Sequence, residues 1–189
     1  SGDRPAALAE LIGIIQNDGI RLPVLRVDSL HFAAGTPYET QLANNPNLGK
    51  RVLPVEVATA MREALSQVVD AGTARRVQGS FKLEDGTVLA MGGKTGTGDN
   101  RIESIGARGR ILGSRSINRT ATFVFYIGAN HFGTLTAFVP GRASEAFKFT
   151  SALPVQVLKG MAPILNPYLV PGSHTACNAP PVSLQASTQ

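Results

Sequence analysis

Apolar residues recur at helical spacing in the first part of the chain and in alternating runs further on. Within Ala6 to Ile15, the residues Leu8, Leu11, Ile12 and Ile15 lie three and four apart, which predicts a helix packed on one face. Asn17-Asp18-Gly19 stops it. Val24 to Phe32 alternates loosely and predicts a short strand or two. Thr36 to Lys50 is rich in Asn and Pro and predicts a loop. Pro54 opens a second helix that runs to about Ala71, with Val55, Ala58, Met61, Leu65, Val68 and Val69 on one stripe. Pro fits a first turn, where its missing N–H costs nothing. Gly72 ends the helix.

The second half is patterned as sheet. Ser80 to Leu83, the turn Asp85-Gly86, and Thr87 to Met91 predict a hairpin. Ala121 to Ile127 and Phe132 to Val139 predict two further strands around Gly128-Ala129-Asn130-His131. Pro154 to Leu165 is a closing helix, and after Pro167 the chain becomes a Pro-, Ser- and Thr-rich tail. Helices, then antiparallel strands, then a helix predict an α+β fold: an antiparallel sheet with packed helices.

Composition narrows this picture without changing it. The 189 residues suffice for one sizeable core, and 43% apolar with 16% charged is a globular balance. The net charge of +5 and the pI near 9.8 favour anionic neighbours such as a membrane surface, an acidic polymer or nucleic acid. Arg101, Arg108, Arg110, Arg115 and Arg119 concentrate this charge, but no aromatic residue stands among them before Phe123. That disfavours a stacking platform for single strands, and the stretch is read as a solvated loop rather than a nucleic-acid patch. Cys177 has no partner for an internal disulfide, and no apolar run approaches the ~20 residues that span a bilayer. No signal peptide is evident. The start Ser1-Gly2-Asp3, without Met, is read as a cut from a longer protein. His31, His131 and His174 are isolated and are expected to be surface or packing residues, and no metal-ligand spacing or cofactor motif is present.

Candidate chemistry lies in Met91-Gly92-Gly93-Lys94-Thr95-Gly96-Thr97-Gly98, directly after the strand-like Thr87-Val88-Leu89-Ala90. Small residues let a backbone approach a ligand closely, while a Lys and two Thr add a cation and two hydroxyls. Three readings compete. A phosphate loop requires Gly at position 88, which is Val88, and a helix after Thr97, for which no pattern exists. The Lys-Thr-Gly element of serine acyl-transferases that react with β-lactams sits on a strand at the rim of its site, as this segment does. The third reading is a Gly-rich turn with an exposed Lys.

The wider chain resembles the C-terminal part of the transpeptidase domain of a penicillin-binding protein of the bifunctional peptidoglycan synthase type. The resemblance runs from about Ala7 to Leu165. It rests on Asn17 to Pro23, similar to a Gly-Gly-x-Pro-like turn before a short strand, and on Met61 to Ala74, similar to the helix ending Val-Val-x-x-Gly-Thr-Ala. It rests further on Gly93 to Thr97, on the strands Thr122 to Gly128 and Thr134 to Pro140, and on the closing helix. The order of Gly72-Thr73-Ala74 and the Lys94 element carries most of it. The resemblance implies a partial serine transpeptidase/β-lactamase-like fold over 1–166, followed by the tail at 167–189. It also implies roles: Lys94 as the cation near the nucleophile, Thr95 and Thr97 as carboxylate binders, and Gly96 with the strand backbone as the aligner of the substrate chain.

The chain departs from the family at two of its three motifs. No Ser has Lys three residues on: Lys50, Lys82, Lys94, Lys148 and Lys159 follow Asn47, Gly79, Met91, Glu145 and Gln156 at that spacing. Ser116-Ile117-Asn118 spells Ser-x-Asn but falls after the Lys94 element, whereas the family places that motif before it, so the match is read as chance. The nucleophile and its base are therefore expected on a missing N-terminal portion, and the fragment alone is expected to be inactive. The implied partners are peptidoglycan stem peptide, β-lactams, that N-terminal portion, and a membrane through an anchor outside this chain, at an extracytoplasmic location. No nucleic-acid partner is expected. The alternative is a non-catalytic module that binds cell-wall peptide or a protein partner.

Overall fold

The computed structural model describes residues 4–24, 29–43 and 49–169, so the Pro-, Ser- and Thr-rich tail beyond Leu169, with Cys177 and His174, lies outside the described residues. The chain starts with helix α1 (Pro5–Gln16), with Pro5 in the first turn and the Asn17 N–H closing on the Gly13 carbonyl. Strand β1 (Ile20–Arg21) follows. Strands β2 (Ser29–Phe32) and β3 (Thr40–Ala43) pair antiparallel with each other, and β4 (Lys50–Arg51) returns to pair with β1. The stretch expected to be a loop from Thr36 to Lys50 thus contains strand β3. Its polar composition hides the strand because β2 and β3 pair as a ribbon exposed on both sides, where no face need be apolar.

Helix α2 (Val55–Asp70) begins one residue after Pro54, which stands at the cap rather than in the first turn. Ala58 and Val69 are buried, Met61, Leu65 and Val68 half-buried, and Val55 exposed, so the predicted stripe holds from its second turn on. The chain then forms a short 3-10 turn at Arg75–Val77. The hairpin expected over Ser80 to Met91 is reduced to a tight turn with one bridge, Lys82 to Val88, in which the Asp85 carboxylate accepts the Thr87 N–H at 2.8 Å.

The main sheet has three antiparallel strands in sequential order: β5 (Met91–Ile105), β6 (Ile111–Ile127) and β7 (His131–Pro140). Strands β6 and β7 turn at Gly128, as the alternation predicts. Strands β5 and β6, however, continue well beyond β7. Residues 101–115 form a two-stranded arm with register shifts at Asn100/Arg101 and Ser104/Ile105. This corrects the reading of the Arg101 to Arg119 stretch as a loop. An arm with both faces in water needs no apolar alternation, so periodicity could not reveal it.

Helix α3 (Ala152–Leu165) and a 3-10 turn at Asn166–Tyr168, followed by the buried Leu169, close the described fold. Alternate residues of β6 face two cores. Phe123, Phe125 and Ile127 join Val69, Val77, Phe81, Met91 and the α3 residues Val155, Leu158 and Ala162 in the larger one. On the opposite face Tyr126 and Val124 meet Ile12 and Ile15 of α1 and Met61 and Leu65 of α2. Here Tyr126 donates to the Arg62 carbonyl at 3.2 Å, and burial pushes its phenol pKa up. The sheet is therefore sandwiched between helices, the mixed α+β layering that the sequence predicts. Among the described residues no helix is long and apolar enough to cross a membrane.

Phe123 is fully buried and stacks on Phe125 at 5.6 Å between ring centroids, whereas Phe138 on β7 is more than half exposed. Phe123→Ala is expected to cost about 3–5 kcal/mol and Phe138→Ala no more than about 1 kcal/mol, measured as urea-unfolding free energies of the two variants.

Candidate active site on the edge of the sheet

Lys94, Thr95, Gly96 and Thr97 all lie in the first half of β5, opposite Val124, Phe123, Thr122 and Ala121 of β6. β5 pairs with β6 alone, so its other edge carries no strand among the described residues. Two glycines allow this placement. A Cβ at Gly92 would run into the Tyr126 ring, and one at Gly93 into the Val124 carbonyl and the Phe123 ring. A Cβ at Gly96 would meet nothing within 4 Å. The first two glycines thus serve packing, while the third keeps a bare stretch of backbone at the sheet's edge.

Strand alternation divides the four residues between two faces. Lys94 and Gly96 share the face of Val124 and α1. Thr95 and Thr97 share the face of Phe123 and α3. Lys94 is exposed, and its ammonium donates to the Thr95 carbonyl at 2.6 Å. Thr95 is only 8% exposed, and its Oγ1 lies 2.6 Å from Oγ1 of Thr73, just beyond the end of α2. Thr97 is exposed, and its Oγ1 accepts the Ser151 N–H at 2.9 Å, at the start of α3. The strand thus offers a cation, two hydroxyls and an unpaired backbone edge, the donor set that an anionic, peptide-like ligand requires.

Several other sequence features acquire structural partners. Ser116 is buried, with its hydroxyl 2.5 Å from that of Ser144, and Asn118 accepts from Asn100 at 2.7 Å. Both ends of the Ser-x-Asn spelling are therefore occupied in holding the arm. Arg119 donates to the Phe149 carbonyl at 2.8 Å and lies over the Phe149 ring, and Arg101 meets Asp99, Ser114 and Glu145. Two of the five arginines of the basic run are thus tied down by the fold. His31 is a surface residue paired with Glu39 at 2.5 Å, where the Gly35 N–H and then His31 hold the Glu39 carboxyl below its ordinary pKa. Sequence reasoning missed Thr73 as a site neighbour. The Gly72-Thr73-Ala74 string was visible, but only tertiary packing brings it to β5.

A hollow of about 630 Å³ beside α1, lined by residues such as Gly13, Ile14, Leu22 and Phe132, does not include the Lys94 segment. The candidate site is an open edge, and it needs a second wall to become a cleft.

Neither a protein-family model nor a curated protein matches the sequence. Solved structures do match. The D,D-transpeptidase domain of a peptidoglycan glycosyltransferase from Eggerthella lenta superposes with a TM-score of 0.54 at 18% identity, over 85% of this chain and 31% of that one. A peptidoglycan synthetase from Bifidobacterium adolescentis gives 0.52 at 18% identity, over 86% of this chain and 27% of that one. Penicillin-binding protein 3 from Mycobacterium tuberculosis, complexed with aztreonam, gives 0.50 at 18% identity, over 86% of this chain and 35% of that one. The fold matches part of the fold of these transpeptidase structures. The chain spans about a third of the length of these structures.

The glycines make opposite predictions. Gly93→Ala forces apart two strands that touch and is expected to cost about 1–3 kcal/mol. Gly96→Ala, which meets nothing, is expected to leave stability within about 0.5 kcal/mol of the parent. Thermal melts of the two variants check this.

Proposed function

We propose that this chain is the C-terminal part of a peptidoglycan D,D-transpeptidase and supplies one wall of its active-site cleft. The observation that carries the reading is the placement of Lys94-Thr95-Gly96-Thr97 on an edge of the main sheet that pairs with no other strand among the described residues, in a fold shared with transpeptidase domains. A packed core or a simple turn does not require a cation and two hydroxyls beside a bare strand edge.

In this reading a serine on the portion that precedes this chain attacks the carbonyl between the two D-Ala residues of a stem peptide. The terminal D-Ala leaves as an amine, and an ester joins the acyl group to the serine. An amine of a neighbouring strand then attacks that ester, forming the cross-link and restoring the serine hydroxyl. Lys94 places positive charge near the serine oxygen and helps its proton to move. Thr97 and Thr95 donate to the terminal carboxylate of the peptide, or to the carboxylate of a penicillin that mimics it. Gly96 leaves room for the ligand backbone to pair with β5. The work takes place outside the cytoplasm, on wall polymer, with the membrane reached through an anchor outside this chain.

The test uses the full-length protein and a fluorescent penicillin. A covalent adduct on a serine outside this chain is expected, and Lys94→Ala is expected to slow its formation about 100-fold or more, the scale of losing one electrostatic stabiliser of an acyl-transfer transition state. Absence of any adduct overturns the proposal. Reversible binding of a D-Ala-D-Ala peptide without acylation would instead assign the chain to a non-catalytic wall-binding module.

A further inference from the structure

We propose that Thr73 is a positioning residue of the carboxylate site: its hydroxyl, bonded to that of Thr95, sets the direction in which the pair donates to an anionic ligand at the β5 edge. The proposal rests on the transpeptidase reading and adds to it a residue outside the Lys94 segment.

The geometry begins at the end of α2. The Ala71 N–H closes the helix on the Gln67 carbonyl at 3.0 Å, and the Ala74 N–H reaches back to the Val68 carbonyl at 3.0 Å. A Cβ on Gly72 would press against the Val68 backbone, so the chain can turn this tightly only where a side chain is missing. Ala74 beyond it is fully buried. Thr73 is therefore held by anchored backbone on both sides, and its side chain leaves a fixed point, exposed, toward β5.

Thr95 occupies the complementary position. It is among the few buried polar residues described, and among the described residues Thr73 is the one side-chain partner of its hydroxyl. At 2.6 Å between oxygens, one hydroxyl donates its proton to the other. Two hydroxyls carry two O–H protons, and one is consumed in the mutual bond, so one is left to donate elsewhere. If Thr73 donates to Thr95, the free proton belongs to Thr95. In the opposite sense it belongs to the exposed Thr73. An anion at the edge selects whichever arrangement aims the free proton at it. Without the Thr73 hydroxyl, the Thr95 hydroxyl loses the partner that fixes its rotation, and its proton is no longer held toward the edge.

Thr97 shows the same device two residues on. Its oxygen accepts the Ser151 N–H, which leaves its own proton free to donate. Both hydroxyls of the segment thus receive support from behind, one from the end of α2 and one from the start of α3. The ligand that such aligned donors recognise is a carboxylate, which accepts charge-assisted hydrogen bonds more strongly than an ester does.

The experiment measures pre-covalent binding and acylation rate of the full-length protein with a penicillin and with its methyl ester. Thr73→Val is expected to weaken binding of the acid about fivefold to tenfold, with less than a twofold change for the ester, and Thr73→Ser is expected to restore the parent value. An unchanged acid affinity, or an equal loss on acid and ester, overturns the proposal, because a purely structural role would not discriminate between the two ligands. If melting shows that the Val variant does not fold, Thr73→Ala carries the same comparison at this exposed position. A parent protein that forms no adduct with either ligand overturns the transpeptidase reading as well, and that failure is seen before any variant is compared.

Discussion

Two aromatic rings of β6 lie where side chains of β5 would otherwise stand, and the rest of the site depends on that contact. Tyr126 covers Gly92, and Phe123 with the Val124 carbonyl covers Gly93. Each ring is anchored in its own core, Phe123 against α3 and Tyr126 against α1 and α2. The start of β5 is thereby clamped from both faces, and its register with β6 is fixed immediately before Lys94. A slip of one residue would put the Lys94 or the Met91 side chain under a ring and exchange the two faces of the strand. The glycines that make the segment look like a loop in sequence are what allow it to be a closely packed strand.

This explains which features could be read from the sequence. The helices were legible because each buries one stripe: Ile12 and Ile15 on α1, Ala58 to Val69 on α2, and Val155 to Ala162 on α3. The alternation from Ala121 to Ile127 was legible because β6 is buried between two helix layers. The arm formed by residues 101–115 was not, because neither of its faces packs on a layer and its side chains alternate for no one. Within the site, the string Lys94 to Thr97 was visible as chemistry, yet its division between two faces follows from strand geometry. The partnership of Thr73 with Thr95, residues on separate elements, follows from tertiary packing. Local pattern records what a residue's own element demands, and it is silent on which other element arrives beside it.

The division of the strand between two faces sets how any ligand must approach. The Lys94 cation stands on one side of β5 and the hydroxyls of Thr95 and Thr97 on the other, so a ligand lying flat on either face could reach only half of the donors. Both halves are within reach from the edge, where β5 has no neighbouring strand among the described residues and Gly96 projects nothing. In the proposed transpeptidase reading, a ligand entering there pairs its backbone with the strand and sends a carboxylate toward the hydroxyls, with its reacting carbonyl on the cation's side. An extended peptide that ends in a carboxylate has that shape. In the proposed reading the edge selects its ligand by backbone direction as well as by charge, and the residues behind the strand, Thr73 and the start of α3, set how the hydroxyls face it.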